Sequence, residues 1–407
     1  MNTSTSDRNS TQQRPTQTIN RVGIIGGGQL AWMMCPPAQK LGLNAIVQTP
    51  SQSDPAATTA TDTVLAAVDD ATATAQLAGH CDVITFENEF VDLEALSELA
   101  RQGVCFRPAL ESLAPLLDKY HQRSFLEDLG VPVPKFFTLM PNKPLPELQF
   151  PVVMKARRHG YDGRGTAILQ DWDSLKTTWQ DWLKANWEKS KQPSLLLEEF
   201  IPFERELAAI AARNASGEIA IYPIVETQQE NQVCRRVLVP ADVSPAVVEQ
   251  SETIARTILD KLQVVGLFAI ELFLTRDGKV LANEIAPRTH NSGHFSIDAC
   301  ETSQFEQHLR AVCDRPLGST AMTCPGAVMV NLLGYEDSEC DYIEKRQQLA
   351  QIPNAKVYWY GKTASRPGRK LGHITVLLEG DKTDLRALGM ETAKAIESVW
   401  YPNNRQI

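Results

Sequence analysis

The sequence predicts a mixed α/β fold (α+β overall) that opens with a Rossmann-like parallel sheet and passes into antiparallel structure. Three observations carry this. Short apolar runs at Val22–Ile25, Leu43–Gln48 and Val83–Phe86 alternate with helical stretches such as Gln29–Leu41, the pattern of βαβ units. Gly26-Gly27-Gly28 supplies a tight turn between the first run and its helix. From Glu206 to about residue 335, apolar runs flank the turn dipeptides Ser216-Gly217 and Asp277-Gly278, as antiparallel hairpins do.

A chain of 407 residues has material for two to four domains. Its net charge of −9 excludes a general attraction to nucleic acid or anionic membranes. No apolar run reaches spanning length, and the N-terminus lacks the apolar core of a signal peptide. The eight cysteines form no CxxC pair, which argues against zinc ribbons and dithiol chemistry and for a reduced, cytoplasmic protein. Residues 1–20 are rich in Ser, Thr, Asn and Gln and read as a disordered tail. Val131-Pro132-Val133-Pro134 marks a boundary, and Trp172, Trp179, Trp182 and Trp187 on an amphipathic helix read as core.

Gly26-Gly27-Gly28-Gln29-Leu30-Ala31 fits GxGxxA after a strand and invites a dinucleotide reading. The acid that should end the second strand is missing, because that strand ends Val47-Gln48-Thr49-Pro50. Two readings remain: a purely structural turn, or a phosphate or sugar held at the helix N-terminus by free N–H groups.

A second glycine-rich segment follows the strand Pro151–Lys155. In Gly160-Tyr161-Asp162-Gly163-Arg164-Gly165, glycines let backbone N–H groups approach phosphate oxygens while Lys155 and the arginines add charge. A solvated hairpin has the same composition, and the GK[ST] ending of a Walker A loop is missing. Leu195-Leu196-Leu197 reads as a buried strand running into Glu198-Glu199-Phe200-Ile201. A backbone edge and an apolar slot there would suit adenine, with Glu206 within reach of ribose hydroxyls; taken alone, the acids also fit a solvated strand end.

With Asp277-Gly278 as a two-residue loop, Arg276 faces Lys279 and every facing pair has the same sum of residue numbers. Glu271 then falls opposite Glu284. Opposed side chains lie about 5 Å apart on one face, so two carboxylates repel unless they share a proton, face bulk water or hold a cation. Two hard oxygen ligands suit Mg²⁺. The segment after Glu284 is dense in donors: Arg288 could fork onto a small oxyanion, and His290 and Asn291 could complete that site.

Taken in order, Lys155, the 160–165 loop, Glu198, Glu206 and the Glu271/Glu284 pair resemble the ATP-grasp superfamily. Gly160–Gly165, the run Asn283-Glu284-Ile285-Ala286-Pro287-Arg288-Thr289-His290-Asn291-Ser292-Gly293-His294, and Arg366-Pro367-Gly368-Arg369-Lys370-Leu371-Gly372-His373 resemble the 5-(carboxyamino)imidazole ribonucleotide synthetase family. The resemblance spans about residues 21–400. It implies a substrate domain at 21–115, a lid subdomain at 116–205, a catalytic subdomain at 206–345 and a small β-rich domain at 346–407.

The resemblance also implies the reaction: ATP, bicarbonate and 5-aminoimidazole ribonucleotide give the carbamate, ADP and phosphate. It assigns Lys119, Lys155, Gly160, Tyr161, Asp162, Gly163, Arg164, Gly165, Thr166, Glu198, Glu199, Phe200, Ile201, Glu206, Asn283 and Glu284 to ATP. Glu271 and Glu284 would hold Mg²⁺, and Arg288, His290 and Asn291 bicarbonate. Gln29, Glu87, Tyr161, Asp162, Lys362 and Arg369 would hold the aminoimidazole nucleotide, with Asp162 accepting the proton of its amine. Family members tend to be homodimers. One departure stands out: Gln229 takes the place of a nucleotide-contacting His. Gln donates a hydrogen bond there but carries no charge. Rival readings are a formate-using transformylase, a biotin-carboxylase-like ligase, a Rossmann oxidoreductase and a non-catalytic nucleotide binder.

Overall fold

The computed structural model describes residues 18–141, 147–158, 165–186, 194–362, 364–380 and 384–402. Most of the tail expected to be disordered, the glycine-rich loop at 160–164 and Trp187 lie outside the described residues.

Four parallel strands, β1 (Arg21–Ile25), β2 (Asn44–Thr49), β3 (Asp62–Leu65) and β4 (Val83–Phe86), lie in the order β3-β2-β1-β4. The apolar runs are strands because both sheet faces are covered: Val22 and Ile24 pack with Met34 and Ala38 of the helix Gln29–Lys40, and Ile25 and Ile84 pack with Leu77 on the other side. The first of these cores also takes in Phe305, Leu309 and Tyr360 from far along the chain. His308 fixes the seam. Its Nε2 lies 2.8 Å from Thr85 Oγ1, and its Nδ1 accepts from the Leu267 N–H at 3.1 Å. Burial holds this imidazole neutral, with a pKa near 4.

Next come β5 (Phe136–Leu139), β6 (Val152–Ala156), β7 (Thr166–Leu169) and β8 (Leu195–Glu199), an antiparallel sheet in the order β5-β8-β6-β7. Leu195 and Leu197 are buried against Met154 and Leu175, and Trp179 and Trp182 pack on that core as stacked rings 5.5 Å apart. Those two rings therefore serve as core. Trp172 instead touches Phe150 and is 38% exposed.

A nine-stranded antiparallel sheet completes the chain. It contains β9 (Phe203–Arg213), β10 (Ile219–Ile221), β11 (Val225–Glu230), β12 (Val233–Val239), β13 (Gly266–Thr275), β14 (Val280–Ala286), β15 (Gly326–Leu333), β16 (Ala355–Trp359) and β17 (Lys370–Leu378). The order is β14-β13-β9-β11-β12-β15-β17-β16, with β10 on β9. The helix Pro245–Leu262, started by a Ser244 cap and ended by Gln263 at φ 48, buries Ile254, Ile258 and Leu259 against this sheet. Among the described residues no helix is long and apolar enough to cross a membrane.

Candidate active site

The three sheets face one cleft of about 1270 Å³. Its floor is the β13–β14 hairpin, and the expected register needs correction there. The loop is one residue longer than the two-residue turn. Thr275 N donates to Lys279 O and Gly278 N to Thr275 O, both at 2.9 Å, so Leu274 rather than Thr275 faces Val280. Gly278 takes the left-handed conformation, φ +79, that such a loop requires. Four residues on, a bulge at Glu271/Leu272 inserts Asn283, and Glu271 does face Glu284. Two one-residue departures cancel. The bulge also turns Asn283 and Glu284 toward the same cleft, where strict alternation would have sent one away.

On the opposite wall, Lys155, next to last in β6, reaches Glu198 of β8 at 2.6 Å and Asn283 Oδ1 at 3.1 Å. Arg123 closes the cluster, pairing with Glu198 and donating to Ala282 O at 3.2 Å and Asn283 Oδ1 at 3.3 Å. Burial would raise the Glu198 pKa, but the charges of Lys155 and Arg123 outweigh it and hold the carboxyl near 2. Lys119 pairs with Glu284 at 2.5 Å. Lys119 and Arg123 sit one turn apart on the helix Lys119–Asp128, a spacing that could have identified Arg123 beforehand.

The carboxylates of the floor are undercompensated. Burial pushes Glu206 up to about 7, assisted by the nearby charge of Glu271. Burial and then Glu284 raise Glu271 in the same way. Two opposed carboxylates that share a single close cation, Lys119 on Glu284, offer hard oxygen donors that fit a divalent cation held by Glu271 and Glu284.

Thr166, Glu199, Phe200, Ile201 and Gln229 also line the cleft. Gly165 is not among the described lining residues. It closes the β6–β7 hairpin at φ +79, and its carbonyl accepts from Ala156 N at 2.7 Å. Gly160, Tyr161, Asp162, Gly163 and Arg164 lie outside the described residues. Phe203 and Phe273, which sequence reasoning missed, stack on each other at 4.8 Å and, with Phe200 and Ile168, give the cleft an apolar face. Only the β9–β13 register brings these two rings together.

At the far end, Arg288 donates through Nε to Glu89 at 2.6 Å. His290 has its Nδ1 2.8 Å from Ser292 Oγ and its Nε2 3.6 Å from Glu271. Burial, with Arg288 nearby, lowers its pKa to about 3, so it is neutral. Asn291 exchanges two hydrogen bonds, 2.9 and 2.7 Å, with the buried Asn331, which fixes its amide. Gln304 clamps the loop by accepting from His290 N at 3.0 Å and donating to His290 O at 2.7 Å.

The first glycine turn also reaches this end. Glu87 accepts from the N–H groups of Gly28 at 2.7 Å and Leu30 at 3.1 Å. An internal carboxylate thus occupies the helix N-terminus where a phosphate was one of the two readings. A Cβ at Gly28 would overlap it. Gln29, Lys362 and Arg369 line the same end of the cleft. Lys362 Nζ donates to Lys370 O at 2.9 Å, and Arg369 to Ala364 O at 2.6 Å.

A nucleotide-sized cleft between an antiparallel pair of sheets, with lysines on one wall and paired acids on the other, defines an ATP-grasp ligase. Residues 124–305 match the ATP-grasp domain, 19–115 the ribonucleotide synthetase preATP-grasp domain, and 327–386 the phosphoribosylaminoimidazole carboxylase C-terminal domain. Over 390 residues the chain is 54% identical to N5-carboxyaminoimidazole ribonucleotide synthase of Synechococcus elongatus, covering 95% of this chain and 96% of that one. An ADP complex of an N5-carboxyaminoimidazole ribonucleotide synthetase superimposes with a TM-score of 0.84 at 32% identity, covering 95% and 98% of the two chains. The Aspergillus clavatus N5-carboxyaminoimidazole synthase in complex with ADP and 5-aminoimidazole ribonucleotide gives 0.80 at 31%, covering 93% and 97%. The chain belongs to the N5-carboxyaminoimidazole ribonucleotide synthase family.

Proposed function

We propose that this cleft joins bicarbonate to the exocyclic amine of 5-aminoimidazole ribonucleotide as ATP is cleaved to ADP and phosphate, a step of purine biosynthesis. The observation that carries this reading is the meeting of Glu271, Asn283, Glu284, Lys155 and Arg288 around one cavity.

ATP lies with adenine on the apolar face that includes Phe203 and Phe273, against the Glu198–Ile201 edge, and its ribose near Glu206. Lys155 and Lys119 meet the phosphates, and Gln229 adds an uncharged donor. Mg²⁺, held by Glu271 and Glu284, would neutralise phosphate oxygens. Arg288 forks onto bicarbonate, with neutral His290 and the fixed amide of Asn291 beside it. A bicarbonate oxygen attacks the γ-phosphorus, the bond to ADP breaks, and carboxyphosphate forms. The amine then attacks the carbon of carboxyphosphate as phosphate leaves, or the carbon of CO2 once phosphate has left. The carbon–oxygen bond to phosphate breaks, and Asp162 takes the amine proton. Gln29, Glu87, Tyr161, Lys362 and Arg369 hold the aminoimidazole nucleotide. The 155–206 region closes over the phosphates to keep water from carboxyphosphate.

Labelled bicarbonate supplied with ATP and the aminoimidazole nucleotide should give labelled carbamate, with one ADP per product. Product with formate or biotin in its place would overturn the assignment. A cytoplasmic homodimer, supported by the family resemblance and the scattered free cysteines, should show twice the mass of the chain in light scattering.

A further inference from the structure

We propose that Glu89 is an internal stand-in for bicarbonate. Its carboxylate fills the fork of Arg288 until the aminoimidazole nucleotide binds beside it, so ATP is committed only when an acceptor amine is present. The proposal rests on the reading of Arg288 as the bicarbonate anchor.

The pairing has the geometry of a ligand. Arg288 Nε meets Glu89 Oε2 at 2.6 Å and Nη2 faces Oε1 at 3.4 Å, while Nη1 donates to Thr289 O at 3.2 Å. A carboxylate and bicarbonate present the same planar O–C–O edge to a guanidinium. Both cannot take that edge together. Burial would raise the Glu89 pKa, but Arg288 outweighs it and holds the carboxyl below its ordinary range. Glu89 is therefore an anion that accepts protons poorly, which suits a competitor and not a general base.

The segment carrying Glu89 links it to the other substrate. Glu87, Asn88 and Glu89 all line the cleft. Glu87 is tied to the Gly28 and Leu30 amides, and Asn88 Oδ1 accepts from Phe90 N at 3.0 Å. A nucleotide that engages Glu87 thus acts on the same four-residue turn that holds Glu89 in place. The displaced carboxylate also has somewhere to go. Behind it lies a small second cavity lined by Glu89, Lys119, Arg157, Arg158 and Glu284; Lys119 is paired there with Glu284 and Arg157 with Asp118, and Lys119 also acts on the Glu89 charge.

Bicarbonate affinity is reduced by the fraction of molecules in which Arg288 is already filled. In Glu89→Gln, which keeps shape and loses charge, the KM for bicarbonate should fall about tenfold. ADP release without the aminoimidazole nucleotide should rise by about the same factor, with ADP outrunning carbamate. Glu89→Asp, which keeps the charge, should restore the coupling. A bicarbonate KM that is unchanged or raised in Glu89→Gln, or ADP release that still requires the nucleotide, overturns the proposal. Arg288→Lys separates the two ideas. If it leaves the bicarbonate KM unchanged, the anchor reading fails; if it raises that KM while Glu89→Gln does not lower it, only the stand-in fails.

Discussion

Two glutamate clusters face each other across the cleft and are balanced in opposite ways. On one wall Glu198 sits between Lys155 and Arg123 and is held near 2. On the other, Glu206 is pushed to about 7, and Glu271 is raised beside Glu284. Glu198 is buried and Glu206, Glu271 and Glu284 are part-buried, yet Glu198 is the acid held low, so counter-charge and not desolvation decides the difference. The first cluster is complete within the chain and holds β6, β8 and the Lys119–Asp128 helix together. In the second only Glu284 has a close positive partner, Lys119, and on the proposed function the bound cation and nucleotide complete it. The same residue type is therefore neutralised by neighbouring cations on one wall and left undercompensated on the other.

This contrast is broken most sharply by deleting each cluster in turn. Glu284→Ala should lower kcat/KM by more than about 10³-fold while leaving the thermal unfolding temperature of the nucleotide-free protein nearly unchanged, because the lost repulsion with Glu271 offsets the lost pair with Lys119. Steady-state ADP release and a melting curve check both halves. Glu198→Ala should do the reverse to stability, costing about 3–5 kcal/mol in urea unfolding, because Lys155 and Arg123 are left buried and uncompensated.

pH sharpens the comparison, since the two shifts have opposite signs. Glu198 is depressed. Its contribution is present above about pH 4.5, the unfolded value, and is lost as pH falls toward 2. Glu206 is raised. Its contribution is present below about pH 4.5 and is lost as pH rises through 7. Nucleotide-free protein should lose up to about 3 kcal/mol from this source between pH 4.5 and 8, and Glu206→Gln should flatten that slope in urea titrations. The smallest effect is at the apolar face proposed for adenine. Phe203→Ala should raise the KM for ATP about fivefold, with kcat little changed, as expected for one lost stacking face.

Much of this was legible in the sequence wherever a local rule applies. Apolar runs gave β1, β4 and β8, because strands covered on both faces need no alternation. The Glu271–Glu284 pairing was reached by arithmetic that missed both the longer turn and the bulge; it survived because each shifts the register by one residue in opposite senses. Arg123 lay within reach of i,i+4 reasoning from Lys119. The Glu89–Arg288 pair did not, since its partners are 199 residues apart and sit in the loops that follow strands of different sheets. Charge in a sequence shows what a residue can bind, and only the fold shows which partner it meets. For the same reason the stacked pair of Phe203 and Phe273 and the amide pair of Asn291 and Asn331 emerged only from strand register and packing.

The central claim is that bicarbonate itself receives the phosphoryl group of ATP. Bicarbonate carrying ¹⁸O, turned over with ATP and the aminoimidazole nucleotide, tests it most directly. The account predicts that one ¹⁸O per turnover appears in the released phosphate, because the oxygen that attacks phosphorus stays with it when the carbon–oxygen bond breaks. Phosphate free of label, with carbamate formed at the normal rate, would contradict it.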